Sequence, residues 1–260
     1  MHTNPENNRF APGTFAPAPR RAPRHKMMAA QGRMETILFL RHGEQQLLSV
    51  VIPLAMLLIV GRIPLLGEDT GVDEIFPMML AIATTSSGFT GQAIALAFDR
   101  RYGALKRTGA SGVPAETIIA GKVIAVAVMA VLQTFLLGGA ALALGWRVDL
   151  TGIALGAITL LAGVAAFSAL GLLMGGTLGA EVVLALANLI WVVLIGLVGW
   201  VVYSQGLTDA GWYTAIPSVA LAAGLTLSFE GIVPWTEILV LLGWSVAAVA
   251  AATRWFRFSS

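Results

Sequence analysis

The side chains best suited to chemistry are few in this chain and badly placed for it. There is no cysteine, which excludes thiol nucleophiles, disulfides and sulfur-ligated metals. The three histidines, His2, His25 and His42, all precede the first long apolar stretch. No His–carboxylate cluster is therefore spaced to hold a metal ion at membrane depth. The run "TTSSGFTG" at 84–91 supplies hydroxyl groups, but a serine nucleophile needs a base, and no apolar stretch carries a histidine. "GASGVPAETIIAGK" ends in Gly-Lys as a phosphate-binding loop does, yet Glu116 stands where that loop needs glycine. The paired acids and arginines of a proton-coupled pump are also missing, since Lys122 and Glu181 fall near the ends of their stretches. These residues assign no catalytic or metal site and no cofactor to the chain.

What remains is a compact basic segment, "FDRRYGALKRTGASGVP", at 98–114. It holds four of the sixteen Lys and Arg residues, with apolar sequence on both sides. Asp99 is suited to cap a short helix running to about Arg107. Phe98, Tyr102 and Leu105 then share one face, while Arg100, Arg101, Lys106 and Arg107 form a cationic rim. Gly109 and Gly112 end that helix. Pro114 suits the first turn of the next, with Glu116 at its positive end. Cations alone would hold a loop on one side of a membrane. The apolar face adds a surface suited to docking another protein.

The elements that must position this segment follow from composition. The chain has 260 residues, 57% hydrophobic and only 12% charged. Soluble domains carry roughly 25% charged residues, so the class is an all-α integral membrane protein. The net charge of +2 is small and argues against nucleic acid as a partner. Residues 1–28 read as a disordered, basic, Pro-rich tail, with no apolar core that would make it a signal peptide. The transmembrane domain occupies 29–260. "METILFLRHGEQQ" at 34–46, with Glu35, Arg41 and Glu44 as its polar groups, reads as an interfacial amphipathic helix in contact with lipid, or as an extension of the first span. Six stretches then reach spanning length, at 47–66, 75–97, 117–146, 153–178, 182–203 and 238–252.

The loops orient them. "GEDTGVDE" at 67–74 holds four acids and no Lys or Arg, and 204–235 also lacks both, whereas the 98–116 loop and both chain ends are cationic. The positive-inside rule places both termini and the basic segment in the cytoplasm. Arg62 and Arg147 lie near outer ends, where they can snorkel. Within 204–235, "YTAIPSVALAAGLTLSF" is apolar over about 17 residues, flanked by Trp212 and Trp235. A seventh span there would put the C-terminal arginines outside. A re-entrant or interfacial segment keeps the charge bias consistent. Arg outnumbers Lys and Ala and Gly are abundant, which suits a GC-rich bacterial genome and hence a bacterial plasma membrane.

The stretch "ALAFDRRYGALKRTGASGVPAETIIAGKVIAVAVMAVLQT" resembles the second-to-third-span region of type-2 ABC exporter permeases. "LRHGEQQLLSVVIPLAMLL" resembles their interfacial helix and first span, and "AEVVLALANLIWVVL" their fifth. The resemblance covers about 34–260. It implies that Phe98–Arg107 is a coupling helix seated in a separate ATP-binding subunit, which carries ATP and magnesium. It implies two such subunits, a second permease copy or a related one, and export of drug-like, lipid or other amphipathic molecules by alternating access. It also implies that spans two and five line the path, where the polar residues are Thr84, Ser87, Gln92 and Asn188, with Trp191 as a stacking surface. Ordinary helix packing is the stronger reading for Thr84 and Ser87. One departure is the scarcity of proline between spans five and six, where only Pro217 and Pro234 occur. A non-transporting membrane scaffold or assembly factor is the alternative function. A cysteine introduced within 67–74 should react with an impermeant thiol reagent from outside, and one at Arg101 should not. Labelling of the Arg101 position from outside would reverse the orientation.

Overall fold

The computed structural model describes residues 22–62 and 71–255, and these contain helices and no strands. The expectations for the acidic loop at 67–70, for tail residues 1–21 and for the final residues 256–260 lie outside the described residues. The first helix, α1, is Arg24–Arg41, so helix begins within the stretch read as tail. His42, with φ −86° and ψ 90°, breaks the chain there, and the first apolar helix, α2, runs Gly43–Val60. The expected 34–46 helix is thus divided: its last turn belongs to α2. The next run, α3, is built of Val72–Thr85, a π-helical turn at Ser86–Gly91, and Gln92–Arg101. Helix α4 is Ala104–Ala110, α5 Ala115–Ala143, α6 Leu150–Thr177 and α7 Ala180–Gln205. A 3-10 turn at Gly211–Ala215 leads to α8, Pro217–Phe229, and α9 is Trp235–Trp255.

Five of these helices, α2, α5, α6, α7 and α9, are long and apolar enough to cross a membrane. Their outer faces expose Leu, Ile, Val and aromatic residues, as lipid contact requires. The middle of the bundle is α3, buried without interruption from Ile75 to Gly91. It is walled by α5, α6, α7 and α8. Close approach of α6 depends on "GLLMG", because Gly171 and Gly175 lie directly against the α3 backbone. A Cβ on Gly171 would come within 2.7 Å of the Gly88 and Phe89 carbonyl oxygens. Helix α8 is almost entirely buried against α3, α6, α7 and α9. Its 13 residues make it about 20 Å long, short of the roughly 30 Å hydrocarbon core. The aromatic rings of Phe76, Trp146 and Phe229 pack at 4.5–5.3 Å between centroids at one end of the bundle.

Backbone irregularity at mid-bundle has a specific remedy. A π-helical turn at Leu47–Val51 precedes Pro53 in α2. Proline has no N–H, so the carbonyl four residues back, that of Ser49, loses its usual helical donor. Gln133 of α5 supplies one: its Nε2 donates to Ser49 O at 3.1 Å and to Ala83 O of α3 at 3.3 Å. Gln45 Nε2 donates to Ser86 O at 3.1 Å and to Ser86 Oγ at 3.2 Å, tying α2 to the π-helical turn of α3. A Gln133→Leu chain should therefore lose about 1–3 kcal/mol through unpaired buried carbonyls. The check is its thermal unfolding midpoint in lipid nanodiscs, which should fall by several degrees.

Candidate functional site

The basic segment does not form the single helix that its sequence suggests. Helix α3 continues through Phe98 and Asp99 to Arg101, and the chain turns at Tyr102–Gly103 before α4. Gly103 has φ +69°, a left-handed conformation that side chains rarely adopt, and it makes the turn. Gly103 is also the N-cap of α4, so Asp99 caps nothing. The apolar continuity of Phe98 with the preceding span keeps the last turns of α3 helical, which overrides the local capping signal. Gly112, at φ +85°, closes the segment, and Glu116 lies in the first turn of α5 as expected.

Asp99 serves instead as one arm of a buried ion cluster. Lys122 of α5 is 1% exposed. Its Nζ donates to Asp99 Oδ2 at 2.7 Å and to Glu35 Oε2 of α1 at 3.0 Å. Gln31 Nε2 donates to Glu35 Oε1 at 3.0 Å. One ammonium group thus joins α1, the end of α3 and α5. A buried charge without partners is costly, and the two carboxylates are what allow this one.

The four cations expected to form a solvated rim divide into different roles. Arg100 is 5% exposed. Its Nη1 donates to Gly175 O at 2.7 Å and Leu178 O at 2.9 Å, at the C-terminal end of α6, where the helix dipole favours a cation. Arg101 pairs on the surface with Glu181 of α7 at 2.9 Å. Lys106 is exposed, and Arg107 donates to Tyr102 O at 2.9 Å. Phe98 and Tyr102 stack with centroids 5.9 Å apart. Tyr102 is 65% exposed, while Leu105 is half-buried.

A groove of about 630 Å³ opens beside this hairpin, between α1, the start of α2, α3, α4 and α7. It brings together Glu35, Glu44, Gln92, Phe98, Asp99 and Asn188, which the sequence left in three separate groups. Thr84 and Ser87 are not on its wall. Both are fully buried inside the bundle, where Ser87 Oγ donates to Thr84 O at 3.2 Å. Trp191 is also buried, and Asn188 Nδ2 donates to Leu184 O at 2.8 Å. Arg41 is exposed at the end of α1. Sequence reasoning missed Glu35–Lys122–Asp99 as a unit, and it missed Gln133 altogether. A lone Lys and a lone Gln in one apolar helix, three turns apart on one face, mark both as needing partners without saying which.

Apolar helices of spanning length, packed around a core stitched by buried amides, define a multi-pass membrane protein. The family model of the ABC-2 type transporter matches residues 30–232, and the chain belongs to that family. No curated protein and no solved structure matches it. It is accordingly a permease of an ABC transporter, a transport subunit and not itself a catalyst, in a family that works with an ATP-binding subunit.

The two neighbouring arginines give a direct contrast. Arg100→Ala should cost about 3 kcal/mol, since charge-assisted bonds to otherwise unpaired carbonyls are lost. Arg101→Ala should cost about 0–1 kcal/mol, because its pair with Glu181 is solvated. Unfolding midpoints in nanodiscs should drop for the first and hold for the second.

Proposed function

We propose that this chain is the membrane half of an ATP-driven exporter in a bacterial plasma membrane. Six spans cross the bilayer: α2, the α3 run, α5, α6, α7 and α9. Both termini and the 98–114 hairpin face the cytoplasm, and α8 is a re-entrant segment from the outer side. Two ATP-binding subunits, carrying ATP and magnesium, pair with two permeases. The path between the permeases alternates its access and moves an amphipathic molecule outward.

One observation carries the mechanism: the exposed Tyr102 stands on a hairpin that is joined to four other helices, α1, α5, α6 and α7. Arg100 fixes its base to the end of α6, Arg101 to α7, and Asp99 to Lys122 and thence to α1. A push on Tyr102, Lys106 or Arg107 by a closing ATP-binding pair therefore reaches α3, α5, α6, α7 and α1 together. Coupling needs such stiffness, because a floppy loop would absorb the displacement. Gln92 and Asn188 stand on α3 and α7, the helices that receive this push, which supports their place along the transported molecule's route.

The test is co-purification with an ATP-binding subunit encoded beside this chain. Wild type should form a stable complex and hydrolyse ATP only in that complex. Tyr102→Ala should weaken association by about 2 kcal/mol, the usual cost of losing an aromatic anchor. The uncomplexed permease should still insert and fold. Leu105→Ala, half-buried in its own hairpin, should show a smaller loss of association. If no ATP-binding subunit associates, the coupling role proposed for this hairpin is wrong.

A further inference from the structure

The groove beside the hairpin has a chemical bias of its own. Its volume of about 630 Å³ lies in the range of small-molecule sites. Three carboxylates stand on its wall, those of Glu35, Glu44 and Asp99, with His42 and Tyr102 as the other titratable groups there. Among the described residues, no Lys or Arg lines it. The ammonium of Lys122 lies behind Glu35 and Asp99 and is spent on both. Three carboxylates against one ammonium leave two negative charges. Gln92, 2% exposed, also lines the groove, and its Oε1 has no hydrogen-bond partner. The stacked rings of Phe98 and Tyr102 complete this end, and aromatic faces attract cations. Met34 and Leu38, both exposed, form an apolar lip on α1.

We infer that this groove binds a lipophilic organic cation, its charge held among Glu35, Glu44 and Asp99 against the Phe98–Tyr102 pair, and its apolar body toward Met34 and Leu38. The inference rests on the export reading for its purpose, since it names the substrate class that such a groove would select. An anionic amphiphile finds no cation to meet among the described residues, because both carboxylates cover Lys122. A zwitterionic lipid would bring its phosphate to the same carboxylates.

Tetraphenylphosphonium and tetraphenylborate, nearly equal in shape and opposite in charge, separate charge recognition from apolar partitioning. Binding of each to the full chain in phosphatidylcholine nanodiscs is measured by equilibrium dialysis, with empty discs subtracted. The phosphonium should bind saturably and the borate should not. Glu44→Gln and Phe98→Leu should each weaken phosphonium binding about fivefold or more. Both leave the partners of Lys122 in place, and unchanged unfolding midpoints verify that they fold. Equal binding of the borate, absence of saturable phosphonium binding, or unchanged affinity in both folded variants would overturn the inference. So would loss of phosphonium binding in discs containing phosphatidylethanolamine, which would make the lipid the occupant. The ATP-binding subunit is absent from this assay. Failure here leaves the permease reading standing, and failure of complex formation leaves this site standing.

Discussion

The ammonium group of Lys122 is the constraint on which the end of the bundle that carries the basic hairpin depends. It is a full charge at 1% exposure, and it is tolerable only because Asp99 and Glu35 meet it at 2.7 and 3.0 Å. Removing one partner would leave charge uncompensated in a low-dielectric setting, at a cost of about 3–5 kcal/mol. The geometry is therefore obligatory rather than merely favourable. If α1 lies against α5, then Glu35 is in reach; if α3 ends where it does, so is Asp99. The hairpin that follows inherits its position from that pairing, and the groove inherits one wall from each of the paired helices α1 and α3.

The middle of the bundle is held by a different chemistry. Here Gln133 and Gln45 donate to carbonyls on α2 and α3. The groups they satisfy lie in or beside the two π-helical turns. A straight helix would need no such donors. The arrangement keeps two adjacent helices irregular at the same depth while leaving those carbonyls paired. Charge at the hairpin end and neutral amides at mid-bundle suit their surroundings, since a neutral amide costs far less to bury than an ion.

Much of the fold was legible because a membrane helix is written in composition. A run of about 20 apolar residues needs no tertiary information to be read, and the five helices of spanning length start and stop within a few residues of expectation, apart from the first, which runs Gly43–Val60 against an expected 47–66. The short interior helix at Pro217–Phe229 was visible as a stretch of marginal length. The candidate site was far less legible. The pattern of Phe98, Tyr102 and Leu105 suggested one helix, yet the break at Gly103 divides it, because the preceding span runs on into Asp99. Arg100 looked equivalent to Arg101 in the sequence. Only tertiary packing decides that one reaches the end of α6 and the other reaches water. Lys122 and Glu35 are 87 positions apart, and local spacing carries no information about such a pair.

Helix α8 bears on how the chain is made. Ser218, Thr226 and Ser228 lie on a segment too short to bridge the bilayer, and each is buried in the finished bundle. Ser218 donates to Leu194 O at 3.0 Å, Ser228 Oγ lies 2.8 Å from Thr159 Oγ1, and Trp244 of α9 donates to Ala215 O beside its start. Such a helix gains little by entering lipid alone during synthesis. Thr226 and Ser228 donate to carbonyls of α8 itself, Ser218 reaches α7, Ser228 also meets Thr159 of α6, and α9 covers one flank of the helix. Until Trp235–Trp255 is in place, one flank of this buried helix stays uncovered, so the interior of the bundle is sealed only when α9 packs.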